Sequence, residues 1–332
     1  MQQVQSTEAP KLAIFCAGAF GITTGLRQPQ NADTRITYID TSEANLTSDI
    51  DAGKCYRIPM PPDADGRVVR GGGGQDRRRT AKAAMPHIAP ILERFVPGAF
   101  NLLVFSCSGA SGSVICSLLA RQLSAADHSF LMVCVGETTT PKYLTNTRDT
   151  WKGLENMALS TKRPFVMSYH HNHAGVPQSA VDKDVDFVIE AVRALTCQFN
   201  KDLDASDIHN ALNFNNVTSV PPQLATIAIT DNRKAALAVM EPITTLSLFC
   251  NREEAGVVGT PHYSKIGYPQ EPLISAFDQL HFVVNTISVD EINKQLRERD
   301  TEQKQAHGNY RSRAALVDVH GDNVTEEGLV IS

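Results

Sequence analysis

The chain has 332 residues, with 31 Lys and Arg against 36 Asp and Glu, for a net charge of −5 at pH 7. At 42% hydrophobic and 20% charged residues it carries enough apolar surface for a core, which excludes long disorder. Its mild acidity excludes broad, non-specific nucleic-acid binding, which needs a basic face.

In chain order, apolar runs alternate with helical patterns. KLAIFCAG (11–18) predicts a buried strand ending in glycine, and RITYIDT (35–41) a second ending in Asp-Thr. FNLLVFSC (100–107) predicts a third, followed by small residues and a helical segment over 114–124. SFLMVCVG (129–136) is a fourth, and RPFVMSY (163–169) a fifth after a helical stretch over 148–160. Such alternation predicts an α/β protein whose parallel sheet binds ligands at the carboxyl ends of its strands. From about 179 to 199, Val185, Val188, Ile189, Val192 and Leu195 share one helical face, and Asp182, Asp184 and Asp186 stand early, as the helix dipole favours. This predicts a core helix joining two domains. Beyond it, LATIAITD (224–231) and QLHFVVNTIS (279–288) predict strands, 289–305 predicts a charged helix, and an acidic segment ends in Leu329, Val330 and Ile331.

Seven cysteines stand at 16, 55, 107, 116, 134, 197 and 250, with no CxxC pair, and most sit in apolar runs. The expectation is a reduced, cytoplasmic protein with neither a disulfide framework nor a zinc knuckle. No apolar run reaches the roughly 18 residues of a membrane span, and MQQVQSTEAP lacks a signal core.

Three clusters of small residues carry the chemical signal. SCSGASGSV (106–114) follows a strand and precedes a helix, so backbone N–H groups and the positive helix end can face a phosphate there. It is neither a Walker A loop, lacking GKS or GKT, nor a serine-hydrolase elbow, since Ser111 sits in G-A-S-G. AGAFG (17–21) reads alone as an ordinary tight turn as well as a phosphate loop. GGGGQDRRR (71–79) reads alone as a flexible loop, or as a phosphate wrap with Arg77, Arg78 and Arg79 neutralising charge. Three such loops within 100 residues favour a nucleotide. DLDASD (202–207) sets Asp204 and Asp207 three apart, a spacing that suits an N-cap and also a water-polarising pair. In YHHNH (169–173), adjacent histidines on a strand point to opposite sides, which argues against a shared zinc ion.

The order of these features resembles the tubulin/FtsZ superfamily of GTP-dependent filament proteins, and within it the phage-encoded tubulins that build spindles in cells infected by large nucleus-forming bacteriophages. GTPHYSKIGY (259–268), QLHFVVNTISVDEINK (279–294) and DNVTEEGLV (322–330) are the most specific stretches, and the likeness runs from about Lys11 to Val330. The resemblance implies a parallel-sheet GTP-binding domain (1–177), a central helix (178–200), a smaller α/β activation domain (201–288), and a C-terminal helix with an acidic tail (289–332).

It also implies roles. Gly18, Ala19, Phe20 and Gly21 match the first phosphate loop, Asp40 and Thr41 the second, which approaches phosphate and magnesium, and Gly71 to Gly74 with Gln75 the third, which senses the γ-phosphate. Ser108, Gly109, Ala110, Ser111, Gly112 and Ser113 match the signature loop, with Ser108 and Ala110 where the family shows glycine. Asn172 and Asp182 match the residues that read guanine, Gln178 stands where relatives often place a stacking aromatic, and Asn146 falls at the ribose loop. Asp204 and Asp207 match the acids that reach into the next subunit and orient the attacking water. The implied protein is a GTPase that binds GTP or GDP with Mg2+ and polymerises head to tail, each tail docking on a neighbouring subunit through Asp322, Glu326, Glu327, Leu329 and Val330. Phage cargo is a possible partner; neither membrane nor direct nucleic-acid binding is expected. The implied place is the host cytoplasm. Two alternatives stay open: a Rossmann-type metabolic enzyme, which would need a reactive group near the glycine loops, and a tubulin-like filament protein with little hydrolysis.

Overall fold

The computed structural model describes residues 9–63, 65–173, 175–270 and 277–316, the last ten of them as backbone only. Its strands are β1 (Leu12–Ala17), β2 (Thr34–Asp40), β3 (Cys55–Arg57), β4 (Phe100–Ser106), β5 (Phe130–Glu137), β6 (Phe165–Asn172), β7 (Asn200–Lys201), β8 (Leu224–Thr230), β9 (Thr244–Phe249), β10 (Tyr263–Pro269) and β11 (Gln279–Asn285). Its α-helices are α1 (Gly18–Arg27), α2 (Arg77–Ala84), α3 (Ile88–Arg94), α4 (Ala110–Ala125), α5 (Pro141–Thr161), α6 (Gln178–Cys197), α7 (Ala205–Leu212), α8 (Arg233–Leu237) and α9 (Ile287–Leu316).

The strands lie side by side in the order β3-β2-β1-β4-β5-β6-β8-β11-β9-β10-β7. From β3 to β8 every pairing is parallel, and β11 then enters antiparallel between β8 and β9. The halves meet where β6 pairs with β8 through Phe165↔Leu224, Val166↔Ala225 and Met167↔Thr226.

The period-2 alternation of β1 divides the core. Leu12, Ile14 and Cys16 turn toward Val185, Val188 and Ile189 of α6, whereas Ala13, Phe15 and Ala17 turn toward Ile115 and Leu119 of α4 and Trp151 of α5. Both faces are therefore covered, which is why these strands read as unbroken apolar runs. The stripe on α6 is the one its sequence predicts, and each such aliphatic side chain contributes roughly 1.5–3 kcal/mol on burial.

All seven expected strands form. Two helices start earlier than their patterns suggest: α4 at Ala110 and α5 at Pro141, where Thr140 Oγ1 accepts from the backbone N–H of Tyr143 at 3.2 Å. Helix α9 runs well beyond the expected 289–305. The seven cysteines are free. Among the described residues no helix is long and apolar enough to cross a membrane. The tail residues 322–330 lie outside the described residues.

Candidate functional site

The chain leaves β1 toward β2 and β3 on one side, and returns as β4 toward β5 and β6 on the other. The crevice above the carboxyl ends of β1 and β4 is thus the topological switch point, where open parallel sheets bind ligands. A cavity of about 410 Å³ lies there.

Its wall brings together most of the sequence-predicted phosphate residues: Gly18, Ala19 and Phe20 after β1, Asp40 at the end of β2, Gly73, Gly74 and Gln75 before α2, and Ser108 through Gly112 after β4. Gly21 faces inward, where an added Cβ would meet Val104 O at 2.3 Å. The loops pack too closely for side chains at two positions. Gly18 has φ +72°, and a Cβ on it would stand 2.9 Å from the Gly112 backbone N; a Cβ on Gly112 would stand 2.6 Å from Ala17 O. Small residues here create a cradle of backbone N–H groups at the start of α4.

Hydroxyls tie the cradle together. Thr41, fully buried, shares a 2.7 Å hydrogen bond with Ser111, and Ser106 shares one of 2.8 Å with Ser108. Ser108 therefore anchors its loop to the end of β4. The buried Asp40 carboxylate accepts from the backbone N–H of Thr41 (2.6 Å) and Ser42 (3.2 Å) and from Asn45 Nδ2 (2.6 Å), which fixes the loop after β2.

The four glycines at 71–74 are not equivalent. A Cβ on Gly73 would fall 2.1 Å from Thr80 Oγ1, and Gly74 has φ +57°, while Gly71 faces open space. The three arginines that follow do not line the cavity. Arg77 turns to Ser113 and Thr150, Arg79 donates to the carbonyls of Pro61 and Pro62, and Arg78 is exposed. The expectation that they neutralise phosphate directly is corrected: the chain turns into α2 right after Asp76, its N-cap, and carries them away.

Asn146 and Ser113 are buried beside the loops rather than on the cavity wall. Asn146 Nδ2 donates to the Ser108 carbonyl (2.9 Å) and the Gln75 carbonyl (3.4 Å), spanning the serine-glycine loop and the glycine run. Ser113 donates to the Gly109 carbonyl. Asn172 closes β6 opposite Glu137, which does line the cavity. Gln178 is exposed at the start of α6. Asp182 lies 3.6 Å from Arg27, which binds Asp186 through two hydrogen bonds of 3.0 and 3.1 Å. Gly72, within the predicted third loop, lines the wall too, and sequence reasoning missed Ser42, Asn45, Ser106, Glu137 and Tyr143 there. The strand-end rule itself was the signal for Ser106 and Glu137, each the last residue of its strand. His170 and His171 pair with the hydroxyls of Ser168 (3.0 Å) and Thr138 (3.1 Å), and burial pushes both imidazole pKa values down.

Asp204 and Asp207 stand at the other end of the sheet. They line a second cavity of about 510 Å³ with Lys11, Phe100 and Ser129, residues before or at the amino ends of β1, β4 and β5. Phe199, 67% exposed, lies at its edge. Asp204 caps α7, accepting from the backbone N–H of Ser206 (2.8 Å) and Asp207 (3.0 Å), while Asp207 accepts from the backbone N–H of Asp204 (3.2 Å). Asp207 also accepts from the Tyr263 hydroxyl (2.8 Å) and pairs with Lys265 at 3.0 Å. Burial pushes its carboxyl up, but the bonds from Lys265, the Asp204 backbone and Tyr263 prevail and hold it below the usual carboxylate range.

A family model described as the C-terminal domain of phage tubulin-like protein matches residues 203–289. The chain is similar to the phage tubulin-like protein of Pseudomonas phage PhiPA3, at 33% identity over 326 residues, 97% of this chain and 99% of that one. Among solved structures it is similar to the protofilament of TubZ from bacteriophage PhiKZ, with TM-score 0.84 and 31% identity over 97% of this chain and all of that one. It is also similar to the phage tubulin PhuZ solved with GDP, with TM-score 0.82 and 28% identity over the same shares.

Proposed function

The chain belongs to the phage tubulin-like proteins, and from that premise we propose that it is a GTPase whose copies stack head to tail into dynamic filaments. The nucleotide pocket is the cavity above β1 and β4, with the Gly18–Gly21 and Ser108–Ser113 loops around the phosphates and Gly73 to Gln75 at the γ-phosphate. Asn172, Asp182 and Gln178 lie toward the base. The filaments work in the cytoplasm of the infected host cell and position phage DNA there, with the acidic tail docking on a neighbouring copy.

One observation carries the head-to-tail reading. The phosphate loops follow the carboxyl ends of β1 and β4, and Asp204 and Asp207 lie with the amino ends of the same strands. Six extended residues separate these ends by about 20 Å, so neither carboxylate reaches the pocket of its own chain. They serve the pocket of the next copy, where they orient the attacking water and stabilise charge in phosphoryl transfer. Asp204, exposed, faces the neighbour; Asp207, tied to Tyr263 and Lys265, keeps the helix end aligned. The relatives solved with GDP and as a protofilament support both halves of this reading.

The donor set suits a Mg2+ ion carried mainly by phosphate and water. Among the described residues no group of three or more His, Cys, Asp or Glu is placed to hold a metal, and the cavity wall offers Asp40 beside Thr41. When bound there, the ion would neutralise charge developing on the phosphates.

The test is sedimentation of the full chain. Polymer is expected to pellet with GTP and Mg2+ and not with GDP; the absence of nucleotide-dependent pelleting at every concentration refutes the filament reading. Deleting residues 322–332 is expected to raise the critical concentration, and unchanged assembly would leave the tail without its role.

A further inference from the structure

The first residue of α2 turns into the protein rather than toward solvent. The Arg77 guanidinium donates to Ser113 Oγ and, at 2.6 Å, to Thr150 Oγ1. Both hydroxyls are fully buried, and both are committed elsewhere: Ser113 to the Gly109 carbonyl, Thr150 to the carbonyls of Cys107 (2.9 Å) and Asn146 (2.7 Å). These partners are neutral hydroxyls, so the guanidinium charge is not cancelled by the groups that hold it. Burial lowers its pKa, with the nearby Asp149 acting the other way.

The position of Arg77 gives this contact its meaning. It stands two residues after Gln75, itself held at φ +62°. The stretch between is rigid: the Asp76 backbone N–H donates to the Gly73 carbonyl at 2.9 Å, and the Asp76 side chain accepts from the Arg79 backbone N–H at 3.0 Å. Asn146 repeats the connection from α5, bridging the Gln75 and Ser108 carbonyls. Two polar side chains, Asn146 buried and Arg77 partly buried, thus join the glycine loop to the serine-glycine loop, and neither lines the cavity.

We propose that Arg77 is a positioning residue that couples the Gly73–Gln75 loop to the first turn of α4, so that a third phosphate seated against the one loop tightens the other. The inference rests on the nucleotide reading above. A diphosphate leaves the glycine loop without a ligand and draws nothing through Arg77. The triphosphate draws Gln75, Arg77 and Ser113 together, and the guanidinium, only partly offset by Asp149, adds positive potential behind the two loops. The structure therefore assigns to Arg77 the preference for triphosphate over diphosphate, not nucleotide binding as such.

The experiment is calorimetric titration of the full chain with GTPγS and with GDP, in Mg2+ and below the concentration at which it sediments. For Arg77→Gln, the ratio of GTPγS to GDP affinity is expected to fall roughly tenfold or more, the scale of charge-assisted hydrogen bonds. Arg77→Lys, which keeps the charge but not the fork, is expected to fall between. If Arg77→Gln does not fold, Thr150→Val keeps the charge and removes one acceptor; a fall in the ratio of about threefold is expected. An unchanged ratio, or equal weakening of both nucleotides, overturns the coupling and leaves Arg77 a structural residue. Wild-type protein that binds neither nucleotide overturns the nucleotide reading, and this inference with it.

Discussion

Asp204 and Asp207 bind each other's backbone across the first turn of α7, the Asp204 carboxylate accepting from the Asp207 N–H at 3.0 Å and the Asp207 carboxylate from the Asp204 N–H at 3.2 Å. This reciprocal cap is complete within one chain. The same two carboxylates therefore hold the helix end in place and, in the proposed filament, face the phosphates of the next copy.

The two roles separate by substitution. Asp204→Asn keeps a side-chain acceptor at the cap and is expected to change unfolding free energy by less than about 0.5 kcal/mol, whereas Asp204→Ala is expected to cost about 1 kcal/mol. Both are expected to slow GTP turnover by about 10²-fold or more and to lengthen filament lifetime. Phosphate release and denaturant titration on the same preparations check this; unchanged turnover in Asp204→Asn removes the water-orienting role.

Substitutions along the glycine run are expected to diverge. Gly73→Ala drives a methyl against Thr80 Oγ1, which is fully buried and donates to the Asp76 carbonyl at 2.8 Å, so a loss of about 1–3 kcal/mol is expected. Gly71→Ala enters open space and is expected to change neither stability nor GTP affinity. Equal effects at the two positions would return the run to a featureless loop.

Phe199 is expected to matter only in the polymer. Phe199→Ser removes an exposed side chain, so folding stability should shift by no more than about 0.5 kcal/mol. If the cavity edge is covered by the next copy, the critical concentration rises roughly tenfold or more, as loss of a buried aromatic demands. Pelleting at graded protein concentrations reads it directly.

His281 sets an acid limit on stability. It is fully buried between Ser247 (2.9 Å) and Gln279 (3.1 Å), and burial, with Arg233 nearby, pushes its pKa down to about 4. A folded-state pKa below the unfolded value near 6.5 means its contribution is intact above pH 6.5 and is lost as pH falls toward 4. The loss amounts to about 3 kcal/mol. Unfolding free energy measured from pH 7 to 4 is expected to fall less steeply in His281→Asn than in the wild type.

Much of this architecture was legible because β1, β4 and β5 are buried on both faces and carry uninterrupted apolar runs. The strands that escaped notice lack that signal. β9 reads TTLSLF, yet every residue is buried: Thr244 donates to the Ala211 carbonyl at 2.9 Å and Ser247 pairs with His281, so hydroxyls satisfied inside the core resemble surface residues in the sequence. α1 was hidden for the opposite reason. Gly21 and Gly25 are poor helix formers, but Cβ atoms there would meet Val104 O at 2.3 Å and Cys16 Sγ at 2.5 Å, so glycine is what lets this helix press against the sheet. In the site, loop composition revealed which segments gather at the pocket. It could not reveal that Arg77 and Asn146 point inward, because that direction is set by α2 and α5 packing beside α4.

The parallel arrangement of β1 through β6 has a consequence for any stack built from this chain. All six strands run from the acidic edge toward the glycine-rich loops, so each subunit is an arrow. Copies joined edge to loop must all point the same way. The two tips of the resulting rod are then chemically unlike, one presenting the open glycine-lined crevice and the other the capped carboxylates of Asp204 and Asp207, and subunits arriving at one tip meet a different surface from those arriving at the other.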